Sequence, residues 1–300
     1  SAGAINAALF ALGYTITEQR TILKKLSFKN LMDDDFGVVR DMNRLMTDFG
    51  WYKGDFFHQW MSNLIEKKLG SASATFRNLR EAGRPDLYVY GTNLSTRFGE
   101  VFSFEHTPKS RIADAIRISM SIPLFFAASR NARRDVYVDG GVLDNFPVKL
   151  FDREKYLEPE ARARMGIKTA YYQAENSKFL KRNPSASPYI YNMETLGFRL
   201  DSKEEIGVFR DGDEPQHHKI NDLFDYIQAL MTTMLEHQGN THLHSDDWQR
   251  TIYIHTCGVG TTDFDLSEVL KKKLEQSGHD AAVRYFEWFD HQQSHPVNRP

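Results

Sequence analysis

The chain has 300 residues, with 38 basic and 40 acidic side chains and a net charge of −2. That balance gives no electrostatic footprint for nucleic acid, the single cysteine, Cys257, excludes an internal disulfide, and no apolar run approaches the ~20 residues of a membrane helix. A lipid surface is not excluded, because aromatic and aliphatic contacts can meet one, and aromatic residues make up 13% of the chain.

Residues 2–12 are small and apolar nearly all round and read as a buried helix closed by Gly13. A second helix follows near Glu18–Leu26, with Thr17 as its N-cap. Asp33-Asp34-Asp35 reads as a solvated loop or helix start rather than a metal site. Residues 55–69 form an amphipathic helix that carries Phe56, Phe57, Trp60, Met61, Leu64 and Ile65 at helical spacing and stops at Gly70. Leu87–Leu94 reads as a buried strand and Glu100–Phe104 as its antiparallel neighbour. Ser110–Met120 is helical and is broken at Pro123; Asp135–Val138 is a short strand ending at Asp139.

In the second half Lys168–Tyr172 reads as a strand, and residues 175–220 as a long irregular surface excursion. Asn221–Glu236 is a helix with Leu223, Ile227, Leu230, Met231 and Met234 on one side. Arg250–Thr256 is a strand, with Cys257 expected as a buried, inert thiol at its end. Helices over 266–277 and 279–290 are split at Gly278. Strands interleaved with helices predict an α/β layered fold, and no internal repeat or linker-like stretch divides it, so a single domain over 1–300 is expected. Within it, 1–150 would form the core and 151–300 would complete the sheet.

Two short stretches carry chemistry. Ser1-Ala2-Gly3 runs directly into a helix, which is the second half of a G-x-S-x-G nucleophile elbow. A serine hydroxyl needs exposure and a base, and the elbow supplies the exposure. The backbone N–H of Ala2 and the N-terminus of the helix would stabilise an oxyanion. Far downstream, Val138-Asp139-Gly140-Gly141 places a carboxylate at a strand C-terminus, followed by glycines that allow a tight turn. Each stretch alone also fits a structural role, Ser1 as an N-cap and Asp139 as a turn residue bonded to its own backbone.

Read together they resemble the patatin-like phospholipase family. The resemblance rests on Ser1-Ala2-Gly3-Ala4-Ile5-Asn6-Ala7, Tyr52-Lys53-Gly54-Asp55 and Gly91-Thr92-Asn93-Leu94. It rests above all on the run from Ala115-Ile116-Arg117-Ile118-Ser119-Met120-Ser121-Ile122-Pro123 to Val138-Asp139-Gly140-Gly141-Val142-Leu143-Asp144-Asn145-Phe146-Pro147. It implies a three-layer α/β/α fold with a mainly parallel central sheet and a Ser1–Asp139 dyad in which the carboxylate takes the serine proton without a histidine. It also implies hydrolysis of phospholipid or lysophospholipid at a membrane or micelle surface, with no cofactor and no metal. Ala2 and Gly3 belong to the elbow, and Gly140 and Gly141 to the catalytic loop. Ile122, Pro123, Leu124 and Phe125 are candidates for the acyl pocket, with ordinary core as the other reading.

The residues preceding Ser1 in the elbow, its strand and the glycine-rich oxyanion loop are not in this sequence and are expected in the parent protein. Weaker likeness to bacterial members appears at Thr195–Asp201 and Thr261–Leu266. Cytoplasmic localisation is expected first, with a secreted or membrane-peripheral place as alternatives; an oligomer or an activator is left open.

Three rival readings fit the residues less well. An N-terminal-nucleophile hydrolase would begin on a strand, whereas residues 2–12 are helical in pattern. A metal site from His237, His242, His244, Asp246, Asp247 and His255 matches no tight zinc spacing and reads as a solvated loop, and Asp211-Gly212-Asp213 lacks the later glutamate of a calcium loop. A domain that has lost its oxyanion loop would only bind lipid or a partner.

Overall fold

The computed structural model describes residues 2–26, 47–201, 219–221, 226, 229–230, 233, 246–260 and 266–291. The chain divides into two compact units, Ser1–Asn145 with Lys219–Gln238, and Phe146–His218 with Gly239–Pro300.

In the first unit α1 (Ala2–Ala11) ends as expected at Gly13. Tyr14 N donates to Leu9 O and Gly13 N to Phe10 O, the paired bonds that satisfy the last carbonyls of a helix. The helix is not buried all round: Ile5, Ala8, Leu9 and Ala11 are inside, while Phe10 is 63% exposed. Helix α2 (Ile16–Lys25) is capped by Thr15, not Thr17. Thr15 Oγ1 accepts from Glu18 N while Glu18 Oε2 accepts from Thr15 N. Only Thr15 has a glutamate three residues on; the corresponding residue for Thr17 is Arg20.

Strand β1 (Gly50–Tyr52) leads into α3 (Asp55–Leu69), whose bounds match the periodicity and which buries Phe57, Met61, Leu64 and Ile65. A short α4 (Phe76–Glu81) follows. Next come β2 (Val89–Asn93), β3 (Phe98–Phe102), α5 (Ile112–Ser119), β4 (Leu124–Phe126), β5 (Ser129–Arg130) and β6 (Val136–Asp139). Strands β2 and β3 pair antiparallel, as their alternation predicts. The four-stranded sheet has the order β3-β2-β6-β5, and β1 pairs with β4 in parallel. Helix α5 is buried along Ile112, Ala113, Ala115, Ile116, Arg117, Ile118 and Ser119 and packs on β2, β6, α1 and α3.

In the second unit, α6 (Pro159–Met165) precedes the antiparallel pair β7 (Gly166–Ile167) and β8 (Tyr191–Asn192). Between those strands lies α7 (Ala170–Arg182), where a strand over 168–172 was expected. Thr169 caps it, its hydroxyl accepting from Tyr172 N, so the Thr-Ala-Tyr-Tyr run serves a helix start rather than a strand. Residues 175–220 are accordingly not an irregular excursion as far as they are described: α7 and β8 are followed by β9 (Gly197–Asp201). Strand β9 pairs in parallel with β10 (Thr251–His255), and α8 (Glu268–His291) packs on β10. Ile252, Ala281 and Tyr285 form the core there.

Helix α8 runs unbroken through Gly278, so the expected split is absent. A Cβ at Gly278 would meet only Ile254 side-chain carbons at 3.9 Å, an ordinary contact. Gly278→Ala is therefore expected to stabilise the protein by about 0.5–1 kcal/mol, because a helical glycine costs that much in backbone entropy. A thermal melt checks this.

The α/β class and parallel pairing are present, in β1–β4 and β9–β10; the largest sheet among the described residues is antiparallel throughout. Tyr226, Ala229, Leu230 and Thr233 are helical, in keeping with a helix over 221–236. Residues 33–35, Ile227, Met231, Met234 and Asp211-Gly212-Asp213 lie outside the described residues, as does nearly all of 261–266.

Candidate active site

Asp139 ends β6 and is 7% exposed. Its backbone N donates to Ser121 O at 2.9 Å, which ties the strand end to the segment leaving α5. Its Oδ1 accepts from Gly141 N at 3.0 Å and caps the 3-10 turn Gly140–Val142. Leu143 N and Asp144 N both donate to Gly140 O, which closes the turn. Gly140 lies against β2: a Cβ there would fall 2.7 Å from Tyr90 C and O. Backbone cannot yield as a flexible side chain can, so Gly140→Ala is expected to displace the turn that holds the carboxylate. Destabilisation of ~1–3 kcal/mol, the cost of overpacking, would appear in a denaturant melt.

Ser1, the expected nucleophile, lies outside the described residues. Ala2 and Gly3 open α1 and are exposed, and a Cβ at Gly3 would meet nothing within 4 Å. Helix α5 is the element common to both halves of the expected site. It packs against α1, which follows Ser1, and against β6 and the 3-10 turn that carry Asp139.

Ile122, Pro123, Leu124 and Phe125 follow directly on Ser121 and are half-buried, not sealed core. The Phe125 ring lies 4.9 Å from both Tyr52 and Phe126. Leu124 has φ 66°, a left-handed conformation that is strained for a branched side chain. Strain of this sort persists where surrounding structure imposes it, commonly at functional sites.

That segment is held by Arg117, which the sequence pattern contained without indicating its task. Its Nη1 donates to Ser121 Oγ at 2.6 Å, and its Nη2 donates to Lys53 O and to Ala127 O. Arg117 is 9% exposed, and its guanidinium joins the end of α5, the junction before α3 and the exit of β4. Arginine suits this position because its donors are fixed in a plane and stay charged when buried.

The second unit holds a buried charge cluster that no local pattern signalled. Arg250 is 1% exposed and uses all five N–H donors. Nη1 donates to Asp152 Oδ1 at 2.5 Å and Asn192 O at 2.8 Å; Nη2 donates to Asp152 Oδ2 at 2.7 Å and Asp247 Oδ1 at 2.6 Å; Nε donates to Asp247 Oδ1 at 3.1 Å. Tyr172 OH donates to Asp152 Oδ2. Burial and then the Asp152 acceptor push the Tyr172 phenol well above its ordinary range. Burial opposes the Arg250 charge, but the bonds and charges of Asp152 and Asp247 outweigh it and hold its proton more tightly than usual.

Asp247 is therefore a buried ion-pair member, not part of a solvated loop. His237, His242 and His244 lie outside the described residues. Among the described residues no three of His, Cys, Asp and Glu come together as metal ligands. Cys257 is half-buried rather than buried, and its N donates to His255 Nδ1 at 3.3 Å.

Residues 1–152 match the family described as patatin-like phospholipase, and the chain belongs to that family. It is 31% identical over 206 residues to "Uncharacterized protein R571" of Acanthamoeba polyphaga mimivirus, covering 69% of this chain and 65% of that protein. It is 25% identical over 150 residues to "Probable lipid hydrolase 463L" of Invertebrate iridescent virus 6, covering half of each. Among solved structures it resembles VipD from Legionella pneumophila with a TM-score of 0.49 and 15% identity, over 96% of this chain and 60% of VipD. The chain thus spans less than two thirds of each of these three relatives. No helix among the described residues is long and apolar enough to cross a membrane.

Proposed function

We propose that the protein is a lipid acyl hydrolase of phospholipase A or lysophospholipase type that works through a Ser1–Asp139 dyad. The observation that carries this is the setting of Asp139. It is buried at a strand C-terminus, anchored by Ser121 O and Gly141 N, and rests on the same helix, α5, as the helix that follows Ser1.

In this reading Asp139 takes the Ser1 proton as Oγ attacks the ester carbonyl. Backbone N–H groups at the start of α1, that of Ala2 among them, stabilise the oxyanion with the help of the helix N-terminus. Collapse of the tetrahedral intermediate expels the alcohol, which takes its proton back from Asp139, and leaves an acyl group on Ser1. Asp139 then removes a proton from water as it attacks the acyl-enzyme, and returns that proton to Ser1 Oγ as the second tetrahedral intermediate collapses and releases the fatty acid. Ile122, Pro123, Leu124 and Phe125 form the wall that receives the acyl chain.

The substrate is a phospholipid or lysophospholipid at a membrane or micelle surface, and the chemistry requires neither metal nor organic cofactor. Hydrolysis of fluorogenic phospholipids of graded chain length tests the proposal. Fatty acid release that falls when Leu124 or Phe125 is shortened supports it. Binding of lipid without any release would leave a lipid-binding module instead.

A further inference from the structure

At the start of β6, the end away from Asp139, two hairpin tips lie side by side. Leu94 N donates to Val136 O at 2.8 Å, and Val136 N donates to Ser95 Oγ at 3.0 Å. The first tip, between β2 and β3, exposes Leu94 by 47% and Phe98 by 72%, with Arg97 exposed between them. The second tip, between β5 and β6, exposes Arg130, Arg133 and Arg134.

The nearby acids are already engaged. Asn131 Nδ2 donates to Asp135 Oδ2 at 2.8 Å, and Glu100 accepts from Asn93 Nδ2 and Tyr137 OH. Among the described residues none of the four arginines forms an ion pair, and the charge partner of Arg130 is the face of Phe49, 5.4 Å away. A chain of net charge −2 thus gathers, around exposed apolar side chains, four arginines that form no ion pair among the described residues. Arg97 and Arg134 both have φ 66°, a conformation that turns ordinarily give to glycine or asparagine. Arginine at such positions opposes local preference, as residues kept for their side chains do.

We infer that these two tips form the surface by which the protein docks on an anionic lipid bilayer. Arginines attract anionic headgroups, while Leu94 and Phe98 enter the boundary between headgroup and acyl chain. A polyanion such as nucleic acid would engage the arginines but would gain nothing from exposed Leu94 and Phe98. Val136 is three residues from Asp139, roughly 10 Å along a strand, so a docked lipid lies within a molecule's length of the candidate site. The inference rests on the acyl hydrolase reading for its purpose, not for its geometry.

The test is co-sedimentation of the Ser1→Ala protein, which consumes no lipid, with vesicles of phosphatidylcholine alone or mixed with phosphatidylglycerol. Binding is expected to favour the anionic vesicles, to weaken with salt and to fall about fivefold for each of Arg97→Gln, Arg133→Gln and Arg134→Gln. Leu94→Ser with Phe98→Ser should weaken binding to both vesicles. In the Ser1 background all variants should hydrolyse a short, monomeric ester like the wild-type protein and keep its circular dichroism.

Equal binding to both vesicles, or arginine variants that bind like the parent, would overturn the inference. So would a duplex oligonucleotide bound as tightly as the vesicles and indifferent to the Leu94/Phe98 change. If no protein cleaves any ester but binding follows the variants as described, the docking surface stands and the hydrolase reading falls.

Discussion

Asp139→Asn is expected to lower kcat/KM for ester hydrolysis by about 10²–10⁴-fold, the range associated with loss of a positioned general base. Asparagine keeps the oxygen that accepts from Gly141 N at 3.0 Å and fits the same turn, so the fold should survive. What is lost is the capacity to take the Ser1 proton. Ser1→Ala should be at least as damaging, because without Oγ no acyl-enzyme forms. The double variant should be little worse than the poorer single one, since the two groups would act as a unit and their losses do not add. Initial rates on a monomeric ester, with thermal melts on the same samples, measure all three. Near-wild-type rates in Asp139→Asn would mean that the carboxylate only caps its turn.

The second large effect concerns the stability of the second unit. Arg250→Met removes the single guanidinium that satisfies Asp152 and Asp247, both almost fully buried. Breaking a buried pair from one side costs about 3–5 kcal/mol, because two buried carboxylates lose their shared guanidinium and are left with weaker partners, Tyr172 OH and Asn192 N on Asp152 and the Lys149 ammonium 3.5 Å from Asp247. Unfolding of the second unit at a much lower denaturant concentration is the expected result. Arg250→Lys should be nearly as harmful, since an ammonium supplies three donors where five are used and cannot span Asp152, Asn192 O and Asp247 together. Replacing Arg250, Asp152 and Asp247 together by apolar residues should recover much of the loss, as the desolvation penalty then disappears with the charges. A triple variant as unstable as Arg250→Met would show that the cluster does more than satisfy its own charges.

The features legible in the sequence are those fixed within a few residues. The α3 periodicity, the Gly13 helix end and the β2–β3 alternation each depend on local spacing; the first two lie where expected, and the antiparallel pair is present with β3 two residues earlier than the expected Glu100–Phe104. The Thr15 cap is equally local, since the glutamate three residues later marks it, whereas Thr17, the expected cap, has Arg20 at that position. Helix α7 was missed because Thr and Tyr favour strands when counted alone, while a single cap bond from Thr169 decides for helix. Phe10 shows a different limit: composition makes α1 apolar, but only its neighbours determine which face is covered.

For the site, Asp139 was visible because an apolar strand ending in Asp-Gly-Gly is an unusual local pattern. Its anchor on Ser121 O and the Arg117 clamp were not, since they depend on how α5 packs against β6 and β4. Asp152 and Arg250 are 98 residues apart, and no spacing rule joins them.

The central claim is that Asp139 activates Ser1, and the most direct measurement is the rate at which a fluorophosphonate labels the protein, with the modified residue mapped by mass spectrometry. Rapid, stoichiometric modification of Ser1 in the wild-type protein, slowed by orders of magnitude in Asp139→Asn, is the predicted result. Modification elsewhere, or of Ser1 at equal rates in both proteins, would contradict it.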